Sequence, residues 1–138
     1  MPLVKKNRYG KISISDKVMV SGIIYAIEQS GLSGDIWLAT KRGKPLAEDK
    51  FLSNAEMRSA VSADYDENGR IRISFCAIVR FGVSIRGTVE SLCGVIADML
   101  RYRTGDPPSS IKVTVTGIRS SKIARRNMEL EMTYGSEN

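Results

Sequence analysis

Apolar residues recur at two different spacings along this chain, and the spacing at each point predicts the element. Lys11 to Ile14 alternates polar and apolar residues as a short strand does. Ser15 then stands where a helix N-cap belongs, with Asp16 beside the positive helix end. Val20, Ile23, Ile24 and Ile27 fall on one helical face, and Gly31 and Gly34 close that helix. From Ala60 the period drops to two. Val61, Ala63 and Tyr65 alternate with Ser62 and Asp64, and Glu67, Asn68 and Gly69 make a turn. A longer alternation follows, with Ile71, Ile73, Phe75, Ala77, Val79 and Phe81 predicted to face a core and Arg70, Arg72, Ser74, Cys76, Ile78 and Arg80 to face away.

Gly82 ends that strand and Ser84 is a credible N-cap. Ile85, Val89, Leu92, Cys93, Ile96, Met99 and Leu100 then trace a second helical stripe running to Gly105. Asp106, Pro107 and Pro108 force a turn. Ile111, Val113 and Val115, alternating with Lys112, Thr114 and Thr116, read as the last strand. The expected order is strand, helix, strand, strand, helix, strand. Two single-striped helices and a sheet with one apolar face predict an α+β, two-layer sandwich, a mixed sheet with both helices on one face. The domain is expected over residues 1–118, with 119–138 as a charged C-terminal tail. Within the domain, the segment from Asp35 to Ser59 admits two readings: a strand near Ile36 to Ala39 followed by a helical turn near Ala47 to Met57, or a mobile insertion at residues 41–59.

A length of 138 residues with 42% hydrophobic content suffices for one packed core. The two cysteines, Cys76 and Cys93, are too few for a disulfide framework. Cys76 is expected on the outer sheet face and Cys93 inside the helix layer, so they should not bridge. No secretory leader is apparent, and every apolar stretch is broken well short of the roughly 20 residues a membrane-crossing helix needs. Cytoplasmic residence is the expectation.

The chain has no histidine, which removes the imidazole base from any serine or cysteine triad and leaves little for zinc. No catalytic, cofactor or metal residues are expected. Asp64, Asp66 and Glu67 cluster, but at a hairpin turn, where carboxylates ordinarily build the turn. Gly82 to Thr88 approaches a phosphate-cradling loop, but Thr88 stands where that pattern places its lysine. Gly31-Leu32-Ser33-Gly34 matches the spacing of a backbone-clamping loop for nucleic acid, and a helix stop accounts for both glycines.

Charge changes the picture more. Twenty-one basic residues against 15 acidic ones leave a net charge of +6. The basic residues gather in the N-terminal arm (Lys5, Lys6, Arg8), the turn Lys41–Lys44, the open sheet face (Arg70, Arg72, Arg80, Lys112) and the run Arg119, Lys122, Arg125, Arg126, while the last dozen residues are acidic. Nucleic acid, anionic headgroups or an acidic protein would all be attracted. The predicted open face carries no aromatic residue for stacking bases.

Three stretches are shared with a known pattern: Tyr9-Gly10-Lys11-Ile12-Ser13-Ile14-Ser15, then Arg70 to Phe75 continuing through Val79-Arg80-Phe81-Gly82-Val83-Ser84-Ile85, and Ile111 to Ile118. Together they span most of the chain and resemble the alkaline-shock, envelope-stress-response protein family of bacteria. The resemblance implies a non-enzymatic protein that self-associates and sits at the inner face of the membrane through an anchored protein partner. It supplies no catalytic residues and no cofactor. The candidate contact surface is therefore read from the residues alone: Arg72, Cys76, Ile78, Arg80, Lys112, Thr114 and Thr116 on the uncovered face, with Arg119, Lys122, Arg125 and Arg126 as tail contacts. A basic nucleic-acid-binding module is the alternative function.

Overall fold

The computed structural model describes residues 3–7, 10–46 and 53–134. Its elements are β1 (Leu3–Asn7), β2 (Gly10–Ile14), α1 (Asp16–Gln29), β3 (Ile36–Ala39), α2 (Asn54–Ala60), β4 (Val61–Tyr65), β5 (Ile71–Arg80), α3 (Ile85–Thr104), β6 (Ser110–Arg119) and β7 (Ile123–Thr133). The fold is α+β in two layers, a five-stranded mixed sheet under helices.

The longest strand, β5, organises the sheet. One of its edges is shared by two short strands placed end to end, β4 against Ile71–Phe75 and β3 against Cys76–Val79, both antiparallel. Its other edge pairs in parallel with β6, and β6 pairs antiparallel with β7. The parallel β5–β6 pair needs a crossover, which the 20-residue α3 supplies.

Local signals set the helix limits. The Ser15 hydroxyl accepts the Val18 N–H at 3.2 Å, and the Ser84 hydroxyl accepts the Gly87 N–H at 3.0 Å. Gly105 ends α3 at φ +89°, its N–H reaching the Arg101 carbonyl, a backbone shape that a side chain would strain. The core joins Val20, Ile23 and Ile27 of α1, Met57 and Ala60 of α2, Val89, Leu92, Cys93 and Ile96 of α3, and the inward rows Ile71, Ile73, Phe75, Val79 and Ile111, Val113, Val115. Each of those side chains is at most 7% exposed, so the helices lie over the sheet face that the alternation points inward.

Four features differ from the sequence reading. First, β2 does not join the main sheet; it pairs with β1, formed by the basic start of the chain. Second, the strand expected at Ile36–Ala39 is β3, but the helix expected near Ala47 to Met57 starts later, at Asn54. The turn after β3 returns along it through an Ala39–Pro45 bridge, buries Leu46, and is tied to α2 by the Lys41 N–H on the Ser59 hydroxyl. The helix there runs Asn54–Ala60, and residues 47–52 of the expected helical turn lie outside the described residues.

Third, residues 119–134 are not a tail. Arg119 ends β6, and Ile123–Thr133 forms β7, because Met128, Leu130 and Met132 alternate with Glu129 and Glu131 and bring an apolar row to the core. Fourth, Phe81 is not a core residue. β5 stops at Arg80, Gly82 turns the chain at φ +93°, and the Phe81 ring is left 71% exposed.

Candidate interaction surface

The sheet face away from the helices divides into three zones. At the β4 end, Arg72 makes a two-pronged contact with Asp64, Nε to Oδ1 at 2.9 Å and Nη2 to Oδ2 at 2.7 Å. That carboxylate holds the guanidinium still more firmly in its charged form. Lys112 reaches Glu129 at 3.4 Å, and Glu131 lines the same shallow groove beside Ser62, Ser74 and Ser110. This zone is a mixed-charge ladder of cross-strand pairs, not a bare cationic surface.

The middle zone is closed. Cys76, Ile78 and Thr116, expected as contact residues, are 7%, 0% and 8% exposed. Sequence alternation puts them on the correct face but cannot show what lies over it. The turn Thr40–Leu46 folds across them: the Thr116 hydroxyl is 3.5 Å from the Thr40 and Ala77 carbonyls, and Gly43 approaches so near that a Cβ there would lie 3.3 Å from the Thr116 carbonyl oxygen. Ile123 of β7 closes the other side, its γ2 methyl occupying the space in front of Gly117. Burial pushes the Cys76 thiol up, offset in part by Lys41. Thr114 stays half-exposed.

The third zone lies at the C-terminal end of β5. Trp37 sits directly across from Ile78 on the outward face, with the Arg119 guanidinium 4.7 Å from its ring centroid. Together with Gly34, Arg80, Phe81 and Ser120 they line an open groove of about 510 Å³. Arg80 is held by Asp35 at 2.7 Å. On the helix side of Phe81 a second groove, about 400 Å³, is lined by Val83, Ile85, Ile118, Ala124, Arg125 and Arg126. Phe81 thus stands on a rim between two grooves, both edged by arginines. Lys122, Arg125 and Arg126 are exposed on the turn and strand behind it.

Trp37 and Phe81 correct the expectation of an open face without aromatics. The strand expected at 36–39 carries the signal for Trp37, since a residue paired with Ile78 must share its face. The signal for Phe81 was Gly82, which ends the strand before the alternation reaches the ring.

Other candidates find structural roles. Asp66 accepts the Asn68 and Arg70 N–H groups through Oδ1, each at 2.9 Å, and these bonds hold its carboxyl below the usual range. Arg70 turns away from the open face and donates to the carbonyls of Pro107, Pro108 and Tyr134. Gly82 to Thr88 is a strand end and a capped helix start, and Gly31 at φ +75° closes α1. Both cysteines are buried and unbridged. Among the described residues no group of histidine, cysteine and carboxylate side chains is arranged to hold a metal ion, and no helix is long and apolar enough to cross a membrane.

No protein-family model, curated protein or solved structure matches this chain.

Proposed function

We propose that this chain is a non-enzymatic, self-associating protein of the envelope-stress-response kind, a cytoplasmic scaffold held near the membrane through a protein partner. The observation that carries self-association is β7, an 11-residue strand at the border of the sheet whose outer edge pairs with no other described residue. Unpaired N–H and C=O groups along such an edge are a ready template for another strand. The membrane-side partner rests on the family resemblance alone. Sedimentation or light scattering across a hundredfold concentration range tests the reading: a concentration-dependent oligomer that survives moderate salt is expected, and a monomer at the highest concentration overturns it.

A second reading, a nucleic-acid-binding module, is favoured by one observation, the exposed Phe81 ring among Arg80, Arg119, Arg125 and Arg126. An exposed ring beside cationic side chains stacks a base while the arginines meet phosphates. It expects retardation of single-stranded RNA or DNA, steeply weakened by salt and by Phe81→Ala. No retardation at low salt removes it.

A further inference from the structure

We infer that two copies of this chain join through β7, strand against strand and antiparallel, about a two-fold axis near Asn127. This rests on the self-associating reading above and specifies its surface.

The far border of the sheet is formed by β3 and by β4, a strand of only five residues that pairs with β5 alone among the described strands. On the far side of the sheet, β3 has its outer edge occupied: the Leu46 N–H donates to the Leu38 carbonyl and the Thr40 N–H to the Lys44 carbonyl, each at 2.8 Å, and Pro45 in that returning segment has no N–H to offer a further strand. β7 is different. Its inner edge pairs with β6 from Ile123 opposite Arg119 to Thr133 opposite Ser110, with a register shift at which Arg126 and Asn127 have no paired residue on β6. Its outer edge, roughly 36 Å long at the usual rise per strand residue, is unpaired among the described residues.

The order of charges along β7 then selects the occupant. Arg125 and Arg126 occupy its first half, Glu129 and Glu131 its second. An edge guarded against association would carry one sign of charge, or a sign pattern with no self-complement. Here the two blocks complement each other when the strand meets its own copy running the other way. A two-fold axis at Asn127 sets Arg125 of each copy opposite Glu129 of the other, and Ala124 opposite Leu130.

The faces agree as well as the charges. Arg125 and Glu129 pair with Gly117 and Thr114 on the outward side of β6, whereas Ala124 and Leu130 pair with Ile118 and Val113 on the core side. Moving the axis by one residue, to Met128, sets Arg125 against Glu131 and keeps both agreements. A slip of half that size sets Arg125 against Leu130 and mismatches the faces. Parallel pairing in register sets arginine on arginine. The result is an isologous dimer with one continuous ten-stranded sheet.

Charge reversal tests this on the full chain, with mass measured by sedimentation equilibrium at moderate salt and folding checked by circular dichroism. Arg125→Glu with Arg126→Glu makes one acidic edge; Glu129→Arg with Glu131→Arg makes one basic edge. Each variant alone should associate at least roughly tenfold more weakly than the parent chain, and an equimolar mixture should recover a heterodimer. Folded variants that associate like the parent, or a mixture that stays monomeric, overturn the inference and leave self-association standing. A parent chain that is itself monomeric overturns both.

A second measurement does not depend on those variants folding. Asn127→Cys places an exposed thiol beside the axis, while the native Cys76 and Cys93 are buried. Mild oxidation should give a covalent dimer from Asn127→Cys and not from the parent. An oligomeric Asn127→Cys chain that forms no such bond overturns the axis at Asn127.

Discussion

Gly117 stands directly opposite Ile78 across the parallel β5–β6 pair, on the outward face of the sheet. A Cβ built on Gly117 would lie 2.7 Å from the Ile123 γ2 carbon and 3.3 Å from the Ile78 γ1 carbon. The missing side chain is what lets β7 close over Ile78, at the point where β6 carries an extra residue relative to β5.

Gly117→Ala should therefore destabilise the domain by about 1–3 kcal/mol through overpacking. The Ile123 γ2 methyl hangs from a branched Cβ and cannot swing far. Ile123→Ala added to Gly117→Ala should recover part of the loss. Urea denaturation of the two single variants and the double variant checks this, and additive losses would show that the two side chains do not share that space.

Arg70 fastens three segments that are far apart in sequence. Its Nη2 donates to Pro108 at 2.8 Å and Tyr134 at 2.7 Å, and its Nε to Pro107 at 3.2 Å. Arg70→Met should cost roughly 1.5–3 kcal/mol, the range for losing hydrogen bonds to a charged donor. The loss should appear first at the end of β7. Hydrogen exchange at Glu131 to Tyr134 that accelerates before exchange in β5 is the expected signature.

Alkaline pH should unfold the domain through acids that burial keeps protonated. Burial, reinforced by Glu90, pushes the Cys93 thiol from an ordinary 9.0 to about 12. Burial likewise pushes Tyr134 from 10.0 to about 12, with Cys93, Asp98 and Glu90 adding to it. Both folded values lie above the unfolded ones, so the folded chain binds protons that the unfolded chain releases. Their contribution to stability is fully present well below pH 9 and declines as pH rises toward about 12. Denaturation midpoints measured from pH 8 upward should fall, and Cys93→Ala should flatten part of the fall. A midpoint independent of pH across that window would contradict the burial of both groups.

Much of this was legible along the chain. The stripes of α1 and α3, their serine caps, the hairpin of β4 and β5 and the inward row of β6 are set by neighbours within a few residues, where period and turn chemistry act directly. Asp66 belongs with them, since its acceptors serve N–H groups two and four residues away. β7 was equally legible in its second half, where Met128, Leu130 and Met132 alternate with glutamates. Its high charge disguised it as a tail, because an edge strand facing water on one side and one border needs few apolar residues.

The candidate surface was less legible. Alternation assigns a residue to a face and does not say what crosses that face. Ile78 and Cys76 look like exposed apolar residues until the Thr40–Leu46 turn, some 30 residues earlier in the chain, lies over them. Arg72, Arg80 and Lys112 look like free cations until Asp64, Asp35 and Glu129 are brought beside them.

By itself, then, the sequence determined the class of fold, the limits of α1 and α3 and the charge order along β7, since each depends on spacing and on residues near one another in the chain. The tertiary structure alone decided which cations are neutralised, that Trp37 and Phe81 flank a common groove, and that β7 borders the sheet with its outer edge unpaired among the described residues. Those outcomes depend on contacts between distant segments, and a one-dimensional pattern carries no record of which strand finally lies next to which.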